Sequence, residues 1–181
     1  MLNILSCDPS LRNWGIAKMT YNNSTGLDLL SVDVIHTSID KGSKKSKALQ
    51  DLEACNTLIE GINKHLDSID LIVIELPIGS QSSAAMKSYG ICIALSAYVS
   101  QLGIKTLYVS PFDVKKVVGK TNTTKHAIVD WVNLKHPNIL SKVLYKSNHE
   151  ADATVAVYAA LNQIKDYYET YNSSKWIIYS S

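Results

Sequence analysis

Four ionisable residues stand where packing alone would not place them. Asp8 ends an apolar run that begins at Leu2, and Glu75 follows four aliphatic residues, Leu71-Ile72-Val73-Ile74. His149 and Asp152 are spaced i, i+3 just after Asn148, at the start of a helical pattern, so they share one helix face. Strands that end at one sheet edge can bring Asp8 and Glu75 together, and a helix N-terminus can present the other pair against them. Carboxylates at short range repel and raise one another's pKa. Hard divalent cations relieve that repulsion, and oxygen-rich donor sets suit Mg2+ or Mn2+. Two such ions roughly 4 Å apart can clamp the attacking and leaving oxygens of a phosphodiester during in-line attack by water. Metal-assisted phosphodiester hydrolysis is the chemistry this set points to.

Each residue also has a plainer reading. Asp8 before Pro9 can form a turn. Glu75 can cap or form a salt bridge, and acids near Asn148 can serve a helix dipole. Glu150, between His149 and Asp152, falls on another side of the helix and reads as a dipole or surface residue. It is the combination, in this order, that points to a site.

The elements that must position these residues follow from hydrophobic spacing. Leu2 to Cys7 reads as a buried strand, and Trp14 to Tyr21 and Leu27 to Thr37 read as two more. The turn residues Asn22-Asn23-Ser24-Thr25-Gly26 join the last two as a hairpin. Asp40 to Lys47 is a polar loop, and Ala48 to Leu66 carries helical spacing at Leu49, Leu52, Cys55, Leu58, Ile59 and Ile62. Leu71 to Ile74 is a strand, Ser82 to Leu102 a helix and Lys105 to Val109 a strand. Pro111 opens a short helix, and Thr124 to Leu134 is helical. Asn148 can cap a last long helix from His149 to Tyr167. The expectation is an α/β domain over residues 1–167, a mixed five-stranded sheet with helices on both faces, followed by a polar tail over 168–181.

At 181 residues and 46% apolar, the chain can bury a core without disulfides or a structural metal. Cys7, Cys55 and Cys92 are odd in number and far apart, which fits reduced thiols in a cytosolic protein. No secretory leader or membrane span is legible, so a soluble cytoplasmic protein is expected. The net charge of +2 predicts no partner, but its distribution is uneven. Lys105, Lys115, Lys116, Lys120, Lys125, Lys135, Lys142 and Lys146 face only Asp113 and Asp130 between residues 105 and 146. Lys41, Lys44, Lys45 and Lys47 form a second cluster. Such bias suits a polyanion-binding face, or a solvated lysine-rich surface.

Five segments, in register from about residue 3 to residue 165, resemble the RuvC Holliday junction resolvases of the RNase H-like fold. Asp8-Pro9-Ser10 through Gly15 resembles the family's D-P-G-x-x-x-x-G opening, with Ser10 in place of Gly. Ile74-Glu75 resembles its second catalytic strand, and Ala84 to Val99 its small-residue-rich helix. Val114-Lys115-Lys116-Val117-Val118-Gly119 with Lys125 resembles its V-K-x-x-V-x-G…K stretch. His149-Glu150-Ala151-Asp152-Ala153 resembles its closing D/H-x-x-D-A helix. The resemblance implies a homodimer that binds four-way DNA junctions and nicks two opposing strands, a role in recombination and repair. It implies Asp8, Glu75, His149 and Asp152 as the metal set, with Lys115 and Lys125 near the scissile phosphate. Lys116 and Lys120 join them on the DNA-binding side. His149 stands where many members carry Asp, and imidazole binds Mg2+ less readily than a carboxylate does. Ile78 falls where the family can carry an aromatic wedge, so an aliphatic wedge is the counterpart here.

Three other readings use the same residues. A viral or phage member that debranches packaged DNA would also cut flaps and Y-forks. A catalytically idle junction-binding module would show a broken metal set. An enzyme of small phosphorylated metabolites would need a Gly-rich phosphate loop, which the sequence lacks.

Overall fold

The computed structural model describes residues 1–38, 40, 42–77, 83–119, 123–137 and 148–178. Within them run β1 (Leu2–Asp8), β2 (Asn13–Asn22), β3 (Gly26–His36), α1 (Lys47–Asn63), β4 (Leu71–Glu75), α2 (Ser83–Gln101), β5 (Lys105–Val109), α3 (Pro111–Val118), α4 (Lys125–Lys135), α5 (His149–Ala159) and α6 (Leu161–Ile178). The strands make a five-stranded sheet in the order β3-β2-β1-β4-β5. β1, β2 and β3 form an antiparallel meander, while β1, β4 and β5 run parallel. This is the mixed sheet expected from the sequence.

The two central strands explain their own composition. Leu2 and Ile4 of β1, with Leu71 and Val73 of β4, enter a core shared with α3, α4, α5 and α6. Leu5 and Cys7, with Ile72 and Ile74, point the other way into a core shared with α1 and α2. A strand covered on both faces is apolar nearly throughout, as β4 is from Leu71 to Ile74, while β1 interrupts its apolar positions with Asn3 and the buried Ser6. Each such aliphatic side chain contributes about 1.5–3 kcal/mol by leaving water.

Helix ends are set by local chemistry. Ser46 caps α1, its hydroxyl accepting from the Leu49 N–H at 3.3 Å. That helix stops at Asn63 rather than Leu66, because tight bonds from His65 N to Ile62 O and from Leu66 N to Asn63 O replace the α pattern. α3 opens with a capping box: the Ser110 side chain accepts from Asp113 N, Asp113 accepts from Ser110 N, and Pro111 follows the cap.

The C-terminal helical segment departs from expectation. Instead of one helix from His149 to Tyr167, α5 ends at Ala159 and α6 continues to Ile178. The break falls at Ala160, where neither Gly nor Pro is present, so tertiary packing decides it. α6 docks on the sheet: Tyr168 meets Tyr21 edge-on at 5.4 Å, and the Tyr171 hydroxyl donates to Asp70 at 3.2 Å. Asn148 occupies the N-cap position of α5, but its side chain makes no capping bond. Among the described residues, no helix is long and apolar enough to cross a membrane.

Candidate active site

The parallel pairing of β1 with β4 matches Cys7 to Ile74, so the next residues, Asp8 and Glu75, end their strands side by side. Both follow the alternation that puts Ile4 and Val73 on the face covered by α5. The first turn of α5 lies over that edge and presents His149 and Asp152. His149 Nδ1 and Asp8 Oδ2 are 2.6 Å apart. Asp8, Glu75, His149 and Asp152 together line a cavity of about 380 Å³. The same cavity takes in Ser10, Thr123, Lys115 of α3 and Lys125 of α4.

A residue to which the pattern of charges assigns no role makes this approach possible. Gly15 of β2 pairs with Asp8 across the ladder. A Cβ at Gly15 would sit 2.1 Å from the His149 carbonyl oxygen and 2.7 Å from its Cβ. Only a glycine admits the start of α5 this close to the sheet. The glycine is visible in the sequence, but the backbone it accommodates lies far along the chain.

Electrostatics in the cavity are strained by unshared negative charge. Burial, with Asp8 and Asp152 nearby, pushes the Glu75 carboxyl up to about 9 despite Lys125 and Lys115. Burial and Asp8 likewise push Asp152 up to about 7. The bond to Asp8 raises His149 above the ordinary histidine range, against its own burial. Glu75 Oε2 is buried without a hydrogen-bond partner. Lys125 Nζ stands 3.9 Å from Asp152 Oδ2 and keeps most of its side chain in solvent. Thr124 caps α4 by accepting from Ala127 N, which sets Lys125 at the first helical position.

The remaining sequence-derived residues fall elsewhere. Lys116 is on the exposed side of α3, its ammonium 4.3 Å above the Phe112 ring. Ile78 and Lys120 lie outside the described residues. Glu150 is not a surface residue: it is buried at 1% exposure in the first turn of α5. The helix packs onto the sheet so tightly that this side of its first turn is covered as well.

No family model matches the sequence, and no curated protein matches it either. Solved structures do match. Thermus thermophilus RuvC in complex with a Holliday junction is similar over 90% of this chain and 95% of its own, at 15% identity and a TM-score of 0.65. The yeast mitochondrial Holliday junction resolvase is similar over 92% of this chain and 83% of its own, at 13% identity and a TM-score of 0.60. Fowlpox virus resolvase in complex with Holliday junction DNA covers 90% of this chain and 99% of its own, at 12% identity and a TM-score of 0.58. The chain has the RNase H-like fold of these junction resolvases.

Proposed function

We propose that the chain is a metal-dependent DNA endonuclease that resolves four-way junctions by paired nicks on opposing strands. One observation carries the reading: Asp8, Glu75, His149 and Asp152 converge with Lys115 and Lys125 on a single cavity. That cavity sits in a fold shared with resolvases solved on Holliday junctions.

The donor set suits a hard cation. Three carboxyls with one unpartnered buried oxygen ask for a positive charge that the two lysines do not fully supply. Among the described residues, no three His, Cys, Asp or Glu side chains already stand disposed around one ion. Asp8 directs Oδ2 at His149, so while that bond stands Asp8 offers a cation its other oxygen. In this reading Asp8, Glu75 and Asp152 hold Mg2+ or Mn2+, two ions per site, and His149 ligates or orients a water. The bound ions would supply an acidified water and neutralise charge on the phosphate. Lys125 and Lys115 offset charge that develops on the phosphoryl oxygens. Lys116 and Lys120 hold flanking phosphates, and Ile78 acts as the wedge at the crossover.

A homodimer fits the outer face of α2, where Met86, Tyr89 and Ile93 are exposed at helical spacing. Two sites on one dimer would account for symmetric nicks, as part of recombination and repair in the cytoplasm. The direct test is cleavage of an immobile four-way junction, with linear duplex and a Y-branch as controls, in Mg2+, Mn2+ and EDTA. Paired nicks that need metal and the junction are expected. Equal cutting of the Y-branch would turn the reading to a general debranching nuclease, and binding without cutting to an idle module.

A further inference from the structure

Beside the cleavage cavity lies a second one, of about 390 Å³, lined by Ser10, Leu11, Arg12, Lys47, Ser83, Lys87 and Ser88. Its charged lining residues are all cations, and they come from three separate elements: the β1–β2 connection, α1 and α2. We infer that Arg12, Lys47 and Lys87 form a phosphate-binding subsite for the DNA strand that enters the cleavage cavity. The inference rests on the nuclease reading and adds a contact outside the residues that reading uses.

Like charges do not gather without cause, and Asp51 explains part of the gathering. Its carboxylate binds Arg12 Nη2 at 3.1 Å and Lys87 Nζ at 2.6 Å. Thr37 Oγ1 accepts from Arg12 Nη1 at 3.4 Å, which holds the guanidinium from its other end. Tying the β1–β2 connection to α1 and α2 needs only Asp51 with one base on each side, which already leaves one positive charge in excess. Lys47 adds a second. It stands one helical turn before Asp51 on α1, so it shares that face, is exposed, and lines the same cavity. Three cations against Asp51 leave two net positive charges. The planar guanidinium of Arg12 and the point charges of the two ammonium groups suit the oxygens of a phosphodiester.

Geometry connects this cavity to the reaction. Ser10 lines both cavities, two residues after Asp8. A strand whose scissile phosphate faces Asp8 and Glu75 can pass over Ser10 and set a neighbouring phosphate among the three cations. The subsite also gives a use to part of the lysine cluster at 41–47, which the cleavage cavity does not employ.

Binding to the immobile junction is measured across a salt series, in a cleavage-blocked Asp8→Asn background. Adding Lys47→Gln and Lys87→Gln should make the slope of log affinity against log salt shallower, by about 0.9 for each phosphate that is no longer neutralised. Lys64→Gln, an exposed lysine after α1, should leave the slope unchanged. Should loss of Lys87 disturb Asp51, Lys47→Glu alone, on the surface, should shift the slope the same way. An unchanged slope in both Lys47 variants, with the parent binding normally, would overturn the subsite alone. A parent that binds no junction at all would overturn the nuclease reading, and the subsite with it.

Discussion

His149 and Asp8 are 141 residues apart in sequence, yet Nδ1 of one lies 2.6 Å from Oδ2 of the other. The contact joins the first turn of α5 to the end of β1. It also couples the imidazole to the carboxylate that the proposed chemistry most needs. While His149 donates a proton to that bond, Asp8 has one oxygen fewer for a cation.

His149→Asp removes that bond and adds an oxygen donor. Cleavage in Mg2+ relative to Mn2+ should rise, by about tenfold, because Mg2+ favours oxygen over imidazole. Parallel rate measurements in the two metals decide it. An unchanged ratio would take His149 out of the metal set.

Asp8→Asn and Glu75→Gln should each lower cleavage by about 10²-fold or more while leaving junction binding in place. For Glu75→Gln the metal-free melting temperature should stay within a few degrees, since the amide replaces a carboxyl already reluctant to ionise. Added Mn2+ should raise the melting temperature of the native chain and not that of this variant. Cleavage near the native rate in either variant would remove that residue from the catalytic set.

Gly15→Ala puts a methyl group on the His149 backbone. Either β2 or the start of α5 must shift, at a cost of about 1–3 kcal/mol. Chemical denaturation should register the loss, and cleavage should fall further than a change in folded fraction explains, because the displaced turn carries both His149 and Asp152. Full activity would show that the close approach is not needed for the site.

His136 supplies a pH test away from the site. Burial lowers its pKa below the ordinary value, with Asp28 opposing and Lys135 adding to the fall, and its Nε2 is 2.9 Å from the Tyr158 hydroxyl. A histidine with a depressed folded pKa binds fewer protons than the unfolded chain does once pH drops below about 6.5. Stability is therefore lost as pH falls through that value and levels off below the folded pKa. Compared with His136→Gln, the native chain should lose more stability between pH 7 and 5. Parallel curves for the two would show that His136 does not titrate differently on folding.

Much of the fold is legible in the residues. Five strands, the helices between them and the strand-terminal places of Asp8 and Glu75 follow from apolar runs and from turn and cap residues, because these signals act within a few positions. The last helical segment differs from its sequence pattern because the determinant is distant: Ala159-Ala160-Leu161 carries no breaker, and α6 extends to Ile178 while docking through Tyr168 and Tyr171. Glu150 differs for a similar reason, since its burial depends on how closely α5 meets the sheet.

By itself, then, the sequence determined which residues end strands, which begin helices and which types could bind a cation. Alternation and capping are properties of neighbouring positions, and they need no partner from elsewhere in the chain. Only the tertiary structure decided that α5 would cross β2 at Gly15, that His149 would bond to Asp8, and that Arg12 and Lys87 would share Asp51 and line one cavity with Lys47. Those outcomes are set by packing between elements remote in sequence, where the order of strands in the sheet fixes which ends and faces can meet.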